Sequence, residues 1–195
     1  MNQSSRGYSL PEILTVIAII GVCAMVVTPA FFSMRQRMGV RIAAAEMRSI
    51  FAKTRILAIA RHRHVAVKFL RIGDLWQYAI FEDGNGNGVR NVEITSGVDR
   101  LLQPYRIVLQ GDGVSRIGLP LRAIPNPSGS GSVSPTGSPI RFNNSTLCSF
   151  TPLGTATSGS IFLTDGRDGA AALIVNGPSA RIRVVVLQGR KWIRL

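Results

Sequence analysis

The sequence predicts an α+β fold in which one long N-terminal helix precedes an antiparallel β-sheet head. Three features of the 195-residue chain predict it. Residues 13–32 carry no charge, residues 43–58 place apolar side chains three and four positions apart, and short segments of strand-forming residues follow residue 64. The first two patterns are typical of helices, and the third is typical of strands.

The first part of the predicted helix is apolar enough to predict a membrane span. At about 1.5 Å per helical residue, residues 13–32 reach about 30 Å, the thickness of a hydrocarbon core. Glu12 stands at the start of this run. A carboxylate deep in hydrocarbon costs about 2.5–3.5 kcal/mol, so we expect Glu12 to have a partner. The run is too long for a secretory signal and lacks a small-residue cleavage site, which favours a retained anchor.

The second part of the helix is predicted to be amphipathic. We expect one helix from about Ser9 to about Arg61, bent near Pro29 and loosened at Gly39. Its predicted core-facing stripe consists of Ala43, Met47, Ile50, Phe51, Thr54, Leu57 and Ala58. This spacing places all of them on one side of a helix.

The remainder of the chain predicts strands joined by turns. The candidate strands are 65–69, 76–81, 106–110, 140–142, 160–164, 171–175, 181–187 and 191–194. Short strands separated by glycine, asparagine and proline favour an antiparallel sheet. Residues 125–139 are rich in Ser, Gly and Pro and predict a flexible surface loop.

The charge balance predicts an anionic partner. The chain carries 23 Lys and Arg against 10 Asp and Glu, a formal charge of +13. Such a field favours phosphate, anionic lipid or an acidic protein surface; the alternative is that the arginines solvate an exposed helix. The arginines after the apolar run, taken alone, place the bulk of the chain in the cytoplasm. Cys23 lies within the apolar run and Cys148 far outside it, so no disulfide is predicted.

A short acidic and amide-rich segment is a candidate calcium loop. Asp83, Asn85 and Asn87 alternate along it, and Gly88 is the sixth residue from Asp83. Calcium loops have this spacing, but their acidic ligand is the twelfth residue, where this chain has Ile94, with Glu93 one residue early. Consecutive Asn-Gly pairs also favour a tight hairpin, which is the alternative.

The C-terminus is a candidate nucleic-acid surface. The residues concerned are Arg190, Lys191, Trp192 and Arg194, and no acid follows residue 180. Cations beside an aromatic ring can bind phosphates and stack a base. The alternative is a solvated strand face on which Trp192 covers the core.

We expect no enzymatic activity and no cofactor other than the candidate calcium ion. The sequence contains no nucleophile elbow, no phosphate-binding glycine loop and no His-carboxylate arrangement with meaningful spacing. His62 and His64 alternate with Arg61 and Arg63, whose charges would repel a metal ion. That segment is therefore predicted to be a solvated junction.

The N-terminus resembles a known processing signal. The motif consists of Gly7, Tyr8, Ser9, Leu10, Pro11 and Glu12, followed by the apolar run. It resembles the class III signal of type IV pilins and type II secretion pseudopilins, in which a membrane peptidase cuts after the glycine and methylates the new N-terminal residue. The resemblance implies cleavage between Gly7 and Tyr8, N-methylation of Tyr8 and an assembly role for Glu12. Tyr8 replaces the commoner phenylalanine of that family.

The resemblance also implies a division of the chain and a topology. It implies a leader peptide at 1–7, a transmembrane helix at 8–32, an amphipathic helix at 33–62 and a periplasmic β-rich head at 63–195. The chain would be a single-pass protein of the bacterial inner membrane whose head is exported despite its arginines. A freed amine of a neighbouring subunit would pair with Glu12; the alternative is pairing with the chain's own Tyr8 amine.

Motifs in the remainder resemble the GspH/FimT group of minor pseudopilins and minor pilins. They are the junction at residues 61–67, an F-x-P-x-G segment at Phe150, Pro152 and Gly154, and the closing Gly189-Arg190-Lys191. The resemblance implies a subunit of a type II secretion pseudopilus or type IV pilus, at the tip or in the initiating complex. Implied partners are other pilins or pseudopilins, the prepilin peptidase, the inner-membrane assembly platform and secreted cargo.

Two alternatives remain open at this point. In the FimT branch a basic C-terminus with a G-R-x-R motif serves DNA uptake, and here Trp192 occupies the place of the second arginine. A DNA-binding minor pilin is therefore one alternative. A plain signal-anchored periplasmic protein is the other.

Overall fold

The computed structural model describes residues 9–108 and 116–195. These residues form the following elements in chain order: α1 (Leu10–Arg61), β1 (Val65–Ile72), β2 (Leu75–Glu82), α2 (Asn91–Ser96), β3 (Arg100–Ile107), β4 (Arg116–Ile117), β5 (Ile124–Pro125), β6 (Ser132–Val133), β7 (Ile140–Phe142), β8 (Leu147–Phe150), β9 (Gly159–Thr164), β10 (Ala170–Asn176), β11 (Arg181–Gln188) and β12 (Lys191–Arg194). The chain divides into two compact units, Met1–Arg35 and Gln36–Leu195.

The Gln36–Leu195 unit contains all the strands that the structure describes. One sheet has the order β3-β2-β1-β8 and a second has the order β12-β11-β10-β9-β4, with β7 also paired to β9. Strands β5 and β6 form a separate hairpin. Every pairing among the described strands is antiparallel. The predicted α+β class, with a helical N-terminal region and antiparallel sheets, is confirmed.

The second part of α1 packs against both sheets through the predicted stripe. Five of the predicted residues are fully or almost fully buried: Ala43, Met47, Phe51, Thr54 and Ala58. The other two, Ile50 and Leu57, are half-buried. Phe51 lies at the centre, with its ring centroid 6.1 Å from that of Phe69, 5.9 Å from Phe142 and 6.0 Å from Phe150. These partners belong to three strands, so one helical side chain joins β1, β7 and β8.

Helix α1 ends in a left-handed residue. His62 has a φ of 52°. The Arg63 N–H donates to the Ala58 carbonyl at 3.3 Å, and the His62 N–H donates to the Ile59 carbonyl at 3.3 Å. These two bonds are the pattern of a Schellman cap, which usually places glycine at this position. The histidine stops the helix and turns the chain into β1.

Several segments differ from the sequence prediction, and strands β4 and β8 lie where no strand was predicted. Residues 125–139 are not a plain flexible loop, because β5 and β6 pair there and Ile124 and Val133 are buried. Strand β3 begins at Arg100 and not at residue 106, although it contains Pro104. Proline is tolerated there because β3 lies at the edge of its described sheet and its register with β2 shifts beside Pro104. Residues 109–110 of the predicted strand lie outside the described residues. Helix α2 was not predicted at all.

The Met1–Arg35 unit contains the first part of α1. Within the described residues, no helix combines the length and the apolar character needed to cross a membrane. The membrane span at 8–32 stays a prediction, as does the four-part division of the chain.

Candidate functional sites

The N-terminal site is only partly described. Gly7 and Tyr8, the predicted processing residues, lie outside the described residues. Glu12 lies in the first turn of α1 with an exposed side chain, and its backbone N–H donates to the Ser9 carbonyl at 3.0 Å. It forms no ion pair with any other residue of the described ranges. A negative charge in a first turn is favourable because it faces the positive end of the helix dipole.

Around Glu12 the helix exposes apolar side chains on every side. Each of the following is at least half exposed: Leu10, Ile13, Leu14, Val16, Ile17, Ile19, Ile20, Val22, Met25 and Val27. At 3.6 residues per turn these positions occupy the whole circumference of the helix. A helix that is apolar all round is stable only when lipid or other protein covers it. These exposed side chains are therefore a candidate surface for lipid or for other protein.

The predicted nucleic-acid residues lie on and beside the last hairpin. Gly189, with a φ of 62°, and Arg190 form the two-residue turn between β11 and β12. Arg190, Lys191 and Arg194 are exposed. Side chains alternate between the two faces of a strand, so Lys191 and Arg194 project from opposite faces of β12. The structure thus does not gather the predicted cations into one cluster.

Trp192 is engaged with the head. Its indole is half-buried against a cluster that contains Phe162 and Ala172, and its Nε1–H donates to the Pro125 carbonyl at 2.8 Å. The ring therefore covers the core and ties β12 to the β5–β6 hairpin. Binding of DNA by the neighbouring cations stays a prediction.

The four candidate calcium residues do lie together. Asp83 accepts hydrogen bonds from the backbone N–H groups of Asn85 at 3.1 Å, Gly86 at 2.7 Å and Gly88 at 2.7 Å. The side-chain amides of Asn85 and Asn87 donate to Glu93 Oε1, at 3.2 Å and 2.6 Å. Both oxygens of Asp83 and the Oε1 atom of Glu93 therefore already accept hydrogen bonds from donors of the loop itself.

The acidic loop is also fixed to α2 by a second buried carboxylate. Asp99 accepts from the backbone N–H of Gly84 at 3.2 Å and from that of Arg90 at 2.9 Å. Gly84 leaves no room for a side chain, because a Cβ there would clash with the Val98 carbonyl. These contacts explain the glycines and acids of the segment as loop structure.

The electrostatics of the loop follow from these contacts. Burial alone would raise the pKa of the Asp83 carboxyl, but the backbone donors of Gly88, Gly86 and Asn85, helped by His64, lower its pKa below the ordinary value. Glu93 Oε2 is shielded from solvent and has no hydrogen-bond partner in the described part of the chain. No group of three or more His, Cys, Asp or Glu among the described residues is placed to hold a metal ion. Calcium binding stays a prediction.

Other shifted groups have structural explanations. Burial raises the pKa of the Cys148 thiol well above its ordinary value, which keeps it an unreactive thiol. Burial lowers the pKa of Lys68, whose Nζ donates to Asn91 Oδ1 at 2.7 Å and Thr146 Oγ1 at 3.0 Å. Cys23 and Cys148 are both free thiols, in agreement with the prediction of no disulfide.

Sequence reasoning missed one cluster of cations. Arg48 and Arg55 of α1 line a groove with Arg181 and Arg194 of the last two strands. The sequence contains one indication of this cluster. Arg48 directly follows Met47 and Arg55 directly follows Thr54, and both of those preceding residues belong to the buried stripe. Pairing that helix face with β11 and β12 requires a contact over more than a hundred residues, which no local pattern shows.

Because comparison with known proteins gives no match, the class of this protein is defined by its own structure. No protein family, no characterised protein and no solved structure matches it. The fold itself defines an α+β protein with a helical N-terminal region and antiparallel sheets.

Proposed function

We propose that this chain is a minor subunit of a pilin-like filament, a minor pseudopilin or minor pilin. The observation that carries the proposal is the first part of α1, which exposes apolar side chains all round and has one carboxylate in its first turn. An apolar helix of this kind can pack first in a membrane and then against like helices of neighbouring subunits. The antiparallel head attached to it would provide the contacts outside the membrane.

Processing in this proposal uses the motif at Gly7 and Tyr8. A prepilin peptidase would cut between them and methylate Tyr8, after residues 8–32 have anchored the chain in the bacterial inner membrane with its head in the periplasm. The assembly platform would then insert the subunit into a type II secretion pseudopilus or a type IV pilus, at the tip or in the initiating complex. The role in this proposal is structural.

Glu12 would hold the subunit in the filament. A carboxylate among apolar helices has few cations near it, and the new N-terminal amine of a neighbour supplies one. The pair would add specificity of register to an otherwise featureless apolar contact. This use of Glu12 fits its exposure and its lack of an ion-pair partner in the described residues.

Replacing this carboxylate tests the proposal. In the native host, Glu12→Gln should leave the chain processed and membrane-bound but deplete it from sheared filaments. Glu46→Gln is the matched control, because Glu46 is an exposed acid later in the same helix. Equal recovery of both variants in filaments would contradict the assembly role of Glu12.

A second candidate function is DNA binding by the C-terminal hairpin. The observation that favours it is the exposure of Arg190, Lys191 and Arg194 with no acid partner among the described residues. Phosphate contacts release counterions, so affinity for a short DNA duplex should fall steeply with salt. Trp192 would contribute by holding β12 in position and not by stacking on a base.

A gel-shift titration over a salt series tests this candidate. Arg190→Ala combined with Lys191→Ala should abolish the shift. The control is Arg71→Ala combined with Arg122→Ala, two exposed arginines that pair with Asp74 and Asp168. No binding by the unmodified chain at low salt would end the DNA hypothesis.

A further inference from the structure

A groove of about 430 Å³ lies between the second part of α1 and the last two strands. Arg48 and Arg55 line it from the helix, and Arg181 and Arg194 line it from β11 and β12. No Asp or Glu is among the lining residues. We call this site the arginine groove. Its volume lies in the range of clefts that bind ligand groups.

The four guanidinium groups have no counter-charge in the described part of the chain. None of them forms a salt bridge or a side-chain hydrogen bond with another described residue. Arg55 Nε is in addition shielded from solvent and without a hydrogen-bond partner there. Leaving a donor of a charged group unpaired in a shielded place is costly. The groove is therefore complementary to an anionic group that enters it.

The apolar part of the groove indicates what carries those anions. Ile56 is 65% exposed and Ile59 is 42% exposed, and both line the groove beside the arginines. Surfaces for single-stranded nucleic acid use aromatic rings on which bases stack. No aromatic residue lines the arginine groove. Aliphatic side chains beside arginines match a protein segment with carboxylates and aliphatic side chains.

A second copy of this chain is a poor occupant. The formal charge of +13 makes two copies repel each other. Several of the acids that the structure describes are also unavailable, because Glu82, Asp83 and Asp99 are buried. Charge complementarity therefore favours a different, acidic protein over a second copy of this chain.

We propose that the arginine groove docks an acidic amphipathic segment of another protein. Carboxylates of the segment would pair with Arg48, Arg55, Arg181 and Arg194, while its aliphatic side chains cover Ile56 and Ile59. Desolvated arginine–carboxylate pairs are directional and fix the register of the segment. The proposal goes beyond assembly through Glu12, since it depends only on the Gln36–Leu195 unit.

Fluorescence anisotropy with a designed probe tests the proposal. The probe is a fluorescein-labelled helical peptide with Glu and Leu on adjacent stripes, and its control is a scrambled peptide of the same composition. The full chain is held in an uncharged detergent. The groove variant is Arg48→Gln with Arg181→Gln. The matched control is Arg100→Gln with Arg183→Gln, which removes the same charge from exposed arginines outside both the groove lining and the candidate DNA-binding residues.

The chain should bind the amphipathic peptide more tightly than the scrambled one. The groove variant should lose roughly tenfold or more in affinity, and the control variant should lose about threefold or less, as expected when only long-range charge is removed. Thermal unfolding should be the same for both variants, because all four positions are exposed.

Three results would overturn the proposal. The first is no binding of the amphipathic peptide at low salt, and the second is equal affinity for the scrambled peptide. The third is tighter binding of duplex DNA that is lost in the groove variant and kept in the control, which would assign the groove to nucleic acid. None of these results depends on processing at Gly7 or on incorporation through Glu12, so the filament proposal would fail or stand separately.

Discussion

In the Met1–Arg35 unit, Ile13, Ile17 and Ile20 of helix α1 are at least half exposed, whereas in the Gln36–Leu195 unit Met47 and Phe51 of the same helix are fully buried. The apolar residues of the first unit occupy every side of the helix, and the buried ones of the second occupy a single stripe. The second stretch is covered by the sheets of its own chain. The first stretch leaves its apolar side chains exposed, and in the filament proposal they would serve assembly.

The largest effect should come from truncating Phe51, the side chain at the centre of the buried stripe of α1. Phe51→Ala removes a ring that contacts three other phenylalanines. Loss of the buried ring and the cavity left behind should cost about 3–5 kcal/mol. Chemical denaturation of the full chain, followed by circular dichroism, measures this loss.

Ile17→Ala is the matched control for that comparison. Ile17 is an exposed residue of the same helix, so its truncation should change the unfolding free energy of the head by less than about 0.5 kcal/mol. If Ile17→Ala lowered the unfolding free energy as much as Phe51→Ala, that result would contradict the difference between the exposed first stretch and the buried second stretch of α1.

A smaller effect should come from the acidic loop. Asp83→Ala leaves three backbone N–H groups without their acceptor and should destabilise the head by about 1–3 kcal/mol. Asp74→Ala is the control, because the Asp74 side chain is 93% exposed and its pair with Arg71 should contribute less than about 1 kcal/mol. Equal effects of the two substitutions would contradict the structural role of Asp83.

The same carboxylate gives a pH dependence with a defined sign. Its pKa is lower in the folded chain than in the unfolded chain. The stabilisation is therefore fully present above the unfolded pKa of about 3.9 and is lost as the pH falls through the lower folded pKa. Denaturation midpoints measured from neutral pH downwards should fall more steeply for the unmodified chain than for Asp83→Ala.

The smallest effect should be a gain in stability at the end of α1. His62 has a φ of 52°, which costs a residue with a Cβ more than it costs glycine. His62→Gly should stabilise the head by about 0.5 kcal/mol, because relief of the unfavourable φ outweighs the extra conformational entropy that glycine gives the unfolded chain. Ala60→Gly, within the last turn of the helix, should destabilise it by up to about 1 kcal/mol. The same sign for both changes would contradict the assigned helix end.

The elements that the sequence predicts are those with a local period. The buried stripe of α1 follows the 3.6-residue repeat at Met47, Phe51 and Thr54, and β10 and β11 are continuous apolar or alternating runs. Helix α2 escapes prediction because it has six residues and no side-chain N-cap. The start of β3 is hidden by Pro104, which the sheet edge accommodates.

The candidate sites also divide into those whose residues are close in sequence and those whose residues are far apart. The loop at Asp83, Asn85 and Asn87 is contiguous in sequence, so residue spacing alone groups its members correctly. The arginine groove and the Trp192 contact with Pro125 join residues that are far apart in the chain. Such contacts depend on how the helix and the sheets pack, and residue spacing does not encode that directly.

The mass of the mature N-terminus tests the filament proposal most directly. Intact and peptide mass spectrometry of the chain purified from its native host should find residues 1–7 removed and one methyl group added to the amine of Tyr8. Gly7→Asp should leave the chain full-length, while Gly21→Ala, within α1 and with open space around the new methyl group, should be processed normally. An intact Met1, or an unmethylated Tyr8 in the assembled protein, would contradict the proposal.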